Sequence, residues 1–409
     1  MRALPLLILL LAPPLAAQPS WQDARLVATA LTRLAEEDSG HLWGVSLDGP
    51  LMIADPDSRL AWATRPAPGF AEEAGFWKGV LPDSVPIANT ATDWGEHRWT
   101  MMAWPLPETE TGLRRLLSHE AFHRIQPQAG LPQEGGSNPH LGSRDGRYWL
   151  ILEMRALAAA LRGDASRVGD ALAARNARLA IFPDAASAEN ALLLHEGLAQ
   201  YTGLRLSGLD LEAAREAAAR DLEEAEDAAS FVRTFAYATG PAWGLILDEM
   251  RADWRDHIAP DTDLPGLLPI RPAADPDFDS LGATHLAATE DALEAERQRR
   301  HEMQLERYVT HPHLFLGFRQ MQVSFDPGQV ETLPDHGQVY QGLRLSDAWG
   351  VLEVDGGALI RQDWSGVVVP APGAFASPIL GDGYTLTLNA GWTLREDGSK
   401  RWVLEQGDR

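Results

Sequence analysis

Residues 116–123 read Leu-Leu-Ser-His-Glu-Ala-Phe-His, and this octapeptide fixes what the surrounding chain has to build. His119 and His123 stand four apart, with Glu120 between them. On a helix, residues four apart lie one turn above each other. The two imidazoles therefore face one point at a distance that suits zinc, while Glu120, about 100° round the helix, points toward a bound water. A Lewis-acid metal then sits beside a general base. The spacing of Leu113, Leu116, Leu117, Phe122 and Ile125 predicts the required helix over 109–125. Thr109 or Thr111 can cap it, Glu110 suits its positive end, and Pro127 stops it.

Two histidines do not complete a metal site. A third ligand is offered by Glu196, in Leu194-His195-Glu196-Gly197-Leu198-Ala199-Gln200-Tyr201, where Gly197 and Ala199 would let another helix approach closely. A glycine inside a helix costs about 1 kcal/mol against alanine, so Gly197 needs a packing or functional reason. The rival ligand is Glu153, a carboxylate in the apolar run Leu150-Ile151-Leu152-Glu153-Met154 that needs a partner if buried. It could equally orient a zinc-bound histidine or pair with Arg155 or Arg147. Further on, Phe235-Ala236-Tyr237-Ala238-Thr239-Gly240 runs into a helix, and a hydroxyl there could donate to the oxyanion of a tetrahedral intermediate.

Composition narrows the chemistry. The 409 residues hold no cysteine, which excludes disulfides, thiol nucleophiles, iron–sulfur clusters and Cys-ligated zinc. Any metal must be held by His, Asp or Glu. A formal charge of −23 argues against nucleic acid or an anionic membrane as partner. No G-x-S-x-G elbow is present. His140, His301, His311 and His313 read as surface residues.

The N-terminal 1–17 has Arg2, an apolar run over 4–12 and small residues at Ala16 and Ala17, the layout of a secretory signal peptide. It is shorter than the about 20 apolar residues that span a bilayer. Its removal leaves no integral membrane segment. The expected localisation is secreted or periplasmic.

Helices are predicted over 21–37, 148–162, 165–181, 185–205 and 241–258, with a polar one over 287–308. Strands are predicted over 41–47, 51–54, 59–64 and 97–104, and again from 314 onward, including a hairpin over 392–405 that turns on Asp397-Gly398. The stretch 128–147 reads as a loop. The fold class is α+β. It comprises a mixed α/β part over 18–108, a helical centre over 109–258, a connector with a long helix over 259–313, and a β-rich module over 314–409.

The three motifs, in this order, resemble the gluzincin metallopeptidases, above all the aminopeptidase-N-like and glycyl-aminopeptidase-like families. Those carry HExxH, then Glu in a pattern like EGxAxY, then Tyr-x-x-Gly; the matching stretches here are 119–123, 196–201 and 237–240. The resemblance covers about 109–251. It implies a zincin-like catalytic centre with His119, His123 and Glu196 as Zn²⁺ ligands, Glu120 as general base, Tyr237 as transition-state donor, and a peptide or protein as substrate. The chain departs from the pattern in several places. His195 stands where Asn is common and Thr239 where Lys is usual. The interval from His123 to Glu196 is long. Trp99-Thr100-Met101-Met102 lies where those aminopeptidases carry Gly-x-Met-Glu-Asn to hold a free amine. The expected activity is that of a secreted zinc metallopeptidase. Two other readings stand beside it: a non-catalytic extracytoplasmic binding protein, and a zinc amidase acting on a non-peptide substrate. The sequence sets no oligomeric state.

Overall fold

Ser20 opens the first helix with a reciprocal cap: its hydroxyl accepts from the Asp23 N–H, and the Asp23 carboxylate accepts from the Ser20 N–H. This helix, α1 (Trp21–Asp38), begins what a computed structural model gives for residues 18–82, 84–131, 135–136, 138–228, 230–325, 330–376, 378–398 and 400–407. The segment 1–17, read as a signal peptide, lies outside the described residues.

Six strands follow: β1 (Leu51–Ala54), β2 (Leu60–Ala63), β3 (Ala71–Glu73), β4 (Phe76–Val80), β5 (Thr90–Trp94) and β6 (His97–Ala103). They form one sheet in the order β3-β4-β2-β1-β6-β5. Only the β1–β6 pair is parallel. Side chains alternate across this sheet as the pleat requires. Leu51, Ile53, Trp62 and Met102 join the helical core, and Met52, Ala54, Ala61, Ala63, Trp99 and Met101 join a second cluster.

The helical centre comprises α2 (Glu110–Ile125), α3 (Arg144–Leu161), α4 (Arg167–Ile181), α5 (Ala186–Leu192), α6 (Leu198–Arg205), α7 (Leu211–Ala225) and α8 (Phe235–Met250). A π-helical turn, Leu193–Gly197, joins α5 to α6. The long α9 (Ala283–Leu305) follows the connector. The chain divides into two compact units, one ending at Glu290 inside α9 and one beginning at Asp291.

In the second unit the strands are β7 (His313–Gly317), β8 (Gln322–Phe325), β9 (Val330–Leu333), β10 (Gly337–Tyr340), β11 (Leu343–Asp347), β12 (Gly350–Val354), β13 (Ala358–Arg361), β14 (Gly366–Pro370), β15 (Ile379–Gly381), β16 (Tyr384–Leu388), β17 (Trp392–Glu396) and β18 (Arg401–Gln406). They make a seven-stranded sheet, β17-β18-β7-β14-β13-β10-β9, and a five-stranded sheet, β15-β16-β12-β11-β8. Leu314, Leu316 and Val367 from the first share a core with Leu345, Leu352 and Leu386 from the second. The α+β class holds throughout. No helix among the described residues is long and apolar enough to cross a membrane.

Several local expectations need correction. The stretch 41–47 is turns and irregular chain, not a strand. The Leu47 and Asp48 carbonyls accept from the buried Arg124 guanidinium at 2.9 and 2.8 Å, which replaces a ladder. β3, β4, β5, β9, β13 and β15 are strands for which the sequence pattern marked no separate stretch. The stretch 128–147 contains a 3-10 turn, Pro139–Gly142, and α3 already starts at Arg144 under a Ser143 cap. α8 begins at Phe235 and ends at Met250, earlier than 241–258 at both ends, with Pro241 inside it.

Candidate metal centre

α2 starts where Thr109 Oγ1 accepts from the Gly112 N–H, and from Ser118 to Ile125 every residue is buried. The helix therefore runs through the core, and its two histidines cannot be surface residues. His119 Nε2 and His123 Nε2 lie 3.0 Å apart. Glu196 Oε2 lies 3.7 Å from the first and 3.3 Å from the second. These three residues form a buried group whose ligand atoms converge closely enough to hold a metal ion, the only such group among the described residues. Ligands at zinc–ligand distances of 2.0–2.1 Å in a tetrahedral shell stand ~3.3–3.5 Å apart, and the three separations here, 3.0, 3.3 and 3.7 Å, fall on either side of that value.

The tautomers follow from two glutamines. Gln126, on α2, donates its amide to the carbonyls of His195 (3.1 Å) and Leu194 (3.4 Å). Its oxygen must then face the His123 Nδ1–H, at 2.8 Å. Gln200 Oε1 faces His119 Nδ1 at 2.9 Å and accepts its proton. With both Nδ1 protons committed, both Nε2 lone pairs point at the shared centre. Two lone pairs and a carboxylate facing one point could hold a metal ion. Burial opposes charge on His123, but the Glu196 and Glu120 carboxylates beside it raise its pKa. Burial likewise opposes ionisation of Glu196, yet its contacts with the two histidines hold its pKa below the ordinary carboxylate range.

Glu196 reaches the centre through the π turn, whose extra residue rotates it inward. That turn crosses α8 backbone to backbone. A Cβ on Gly240 would overlap the Gly197 Cα, and one on Gly197 would sit 3.1 Å from the Gly240 Cα. Gly240→Ala should therefore push α8 away from the turn. The expected cost is about 1–3 kcal/mol of stability, together with weaker metal uptake, checked by thermal unfolding and by metal titration. Unchanged values for both would show that the crossing does not set the site. Tyr201, the last residue of the second motif, anchors α6 to α8: its hydroxyl donates to Asp248 at 2.7 Å, and Arg255 donates to it at 2.8 Å.

Glu120 is 3% exposed and lies outside the ligand group. Burial raises its pKa, which keeps its carboxylate basic enough to take a proton. Its Oε2 has no hydrogen-bond partner among the described residues. Tyr237, in the first turn of α8, lies with its ring parallel to that of His119 at 5.9 Å, and interacts through its hydroxyl with Glu196. Burial and that carboxylate raise its pKa, so the hydroxyl stays a donor. His195 lies 4.8 Å, ring to ring, from His123, and burial lowers its pKa to about 4.

All five residues singled out in the sequence, His119, Glu120, His123, Glu196 and Tyr237, line one cleft. Asn89, Thr90 and Ala91 line it too, the last two being on β5, which is the edge strand of its sheet. Trp99-Thr100-Met101-Met102 is on the inner strand β6 and is wholly buried, so it does not face the cleft. Sequence reading missed Gln126, Gln200, β5 and Arg98, which lines the cleft and whose guanidinium reaches the His123 carbonyl at 3.4 Å. The only available signal was position: Gln126 lies one turn beyond His123, and Gln200 one turn beyond Glu196.

Glu153 is not a ligand. It is 2% exposed, forms an ion pair with Arg178 at 2.7 Å, and accepts from Trp243 Nε1 at 3.0 Å. Neither Arg155, which binds Glu226, nor Arg147, which binds Glu290, is its partner. His140 is not a surface residue either; its Nε2 lies 2.8 Å from the buried Glu189.

No family model, no curated protein and no solved structure matches this chain.

Proposed function

We propose that the protein is a secreted or periplasmic zinc-dependent hydrolase that cleaves peptide bonds. The observation that carries this reading is the meeting of a His₂Glu ligand set with a buried carboxylate, Glu120, that is not itself in the set. Three protein ligands leave a coordination position open, which is the catalytic rather than the structural kind of zinc site. Bound zinc supplies a Lewis acid that makes water a nucleophile near neutral pH. Glu120 takes the proton from the attacking water and returns it to the leaving nitrogen. Tyr237 donates to the oxygen that becomes negative on the attacked carbonyl. Gln126 and Gln200 keep both imidazoles in the ligating tautomer throughout.

The free edge of β5 favours a peptide over a small non-peptide amide. An extended chain laid along Thr90 and Ala91 would add a strand to the sheet and bring its own carbonyls past the metal. No carboxylate occurs in Asn89-Thr90-Ala91, so these residues offer no grip for a free amine.

Metal analysis with a peptide panel tests the proposal. About one zinc per chain is expected; chelation should stop peptide cleavage and added zinc should restore it. A chain that takes up no zinc on titration and cleaves no peptide would overturn it in favour of a non-catalytic binding protein. Cleavage of non-peptide amides alone would favour the amidase.

A further inference from the structure

The second unit carries a cleft of about 430 Å³ on the seven-stranded sheet, lined by His313 and Phe315 of β7, Arg401 of β18, Arg361 of β13, and Asp335, His336, Gln362 and Asp363 of two adjacent turns. That volume is within the range of small-ligand sites. The Phe315 ring is its floor. The ring packs closely against β14 at Gly366, where a Cβ would sit 2.6 Å from Phe315 Cε2. Two guanidiniums stack on this ring, Arg401 at 4.7 Å and Arg361 at 5.7 Å.

Their charges are under-used. The Arg401 guanidinium has no hydrogen-bond or ion-pair partner among the described residues, and that of Arg361 reaches only Asp363, at 3.9 Å. In a chain of charge −23, where carboxylates are abundant, a half-buried arginine left without one is available to a ligand. The side chains of His336 and Gln362 also have no partner among the described residues.

A second cleft shares Asp335, Arg361 and Gln362 with the first and adds Trp364. This indole is 49% exposed, on a backbone in the left-handed region (φ 51°). Its N–H donates to the Arg361 carbonyl at 2.9 Å, so this conformation closes the short turn between β13 and β14 and leaves the indole facing outward.

From this arrangement we infer that the paired clefts bind a carboxylated oligosaccharide. One sugar lies against the Trp364 indole, and the carboxylate of its neighbour is held between Arg361 and Arg401. Arginine forks match carboxylates bidentately. Asp335, His336 and Gln362 alternate acceptors and donors, which suits hydroxyl groups. The inference is independent of the hydrolase reading.

Calorimetric titration of the full chain tests it, with short oligomers of galacturonate, glucuronate and mannuronate, a neutral maltooligosaccharide of equal length, and oligothymidylate. At least one uronate oligomer should bind saturably and about tenfold tighter than the neutral sugar. Arg401→Ala should weaken uronate binding by about tenfold, while leaving the neutral sugar and peptide cleavage unchanged. Trp364→Ala should weaken both sugars by about threefold to tenfold. Arg361→Gln serves as a second variant should Arg401→Ala unfold early in a thermal scan. The inference fails if no uronate oligomer binds, if folded arginine variants bind as the parent does, if neutral and charged sugars bind alike, or if oligothymidylate binds best.

Discussion

Glu120→Gln is expected to lower peptide cleavage by ~10³–10⁴-fold, the upper range for removing a general base, while the chain keeps its metal. Glutamine fills the same volume but cannot take a proton. The ligand set, His119, His123 and Glu196, does not include position 120, so coordination is preserved. The fold should not suffer. Glu120 is 3% exposed and its carboxylate is raised in pKa by that burial, so the charged form costs stability at neutral pH. The sign follows: a group whose folded pKa exceeds its unfolded value destabilises above the latter, and a neutral amide removes that penalty. The variant should therefore melt no lower than the parent at pH 7. Activity assay, metal stoichiometry and thermal unfolding on one preparation check all three statements. Retained cleavage in Glu120→Gln would refute the assignment of Glu120, and lost zinc would mean it acts as a ligand.

What the sequence disclosed of this site was what lies close in sequence. His119, Glu120 and His123 share one helical turn, and the helix period alone brings the two histidines together. Glu196 could be nominated because Gly197 beside it demanded an explanation, and that explanation is the backbone crossing at Gly240. Other features depend on contacts no local pattern encodes. β5 reads Thr-Ala-Thr-Asp-Trp, half-buried almost throughout, so no apolar alternation marks it as a strand or as the cleft wall. The π turn in 193–197 has the same helical spacing as its neighbours, and only packing reveals the extra residue. Glu153 was ambiguous for the same reason. A carboxylate in an apolar run announces that something neutralises it, but not whether that is a metal or an arginine from the next helix.

That arginine carries the largest stability effect expected in the molecule. Arg178 is fully buried on α4 and binds two carboxylates at once: Glu189 through Nε and Nη2, both at 2.8 Å, and Glu153 through Nη1 at 2.7 Å. Glu189 belongs to α5, which leads into the π turn bearing Glu196; Glu153 belongs to α3, and its partner Trp243 to α8, which bears Tyr237. One guanidinium thus ties together the elements that deliver Glu196 and Tyr237. Replacing it with the similarly long methionine strands two buried carboxylates, and Arg178→Met should cost about 3–5 kcal/mol. Acid should reveal the cause. Burial pushes the Glu189 pKa up, but in the parent Arg178 overrides that and holds it below the ordinary range. In the parent, Glu189 therefore contributes stability that is present above its unfolded pKa and lost as pH falls through the lower folded value. In Arg178→Met only His140 and Arg175 are left to oppose burial, so the folded pKa of Glu189 rises and its protonation relieves part of the strain. The stability gap between the two proteins should consequently shrink as pH is lowered from 7 toward about 4. Adding Glu189→Gln to Arg178→Met should recover part of the loss at pH 7. Denaturant unfolding across that pH range separates the accounts, since a gap that stays constant with pH, and is not narrowed by the second substitution, would mean that lost packing rather than stranded charge destabilises the variant.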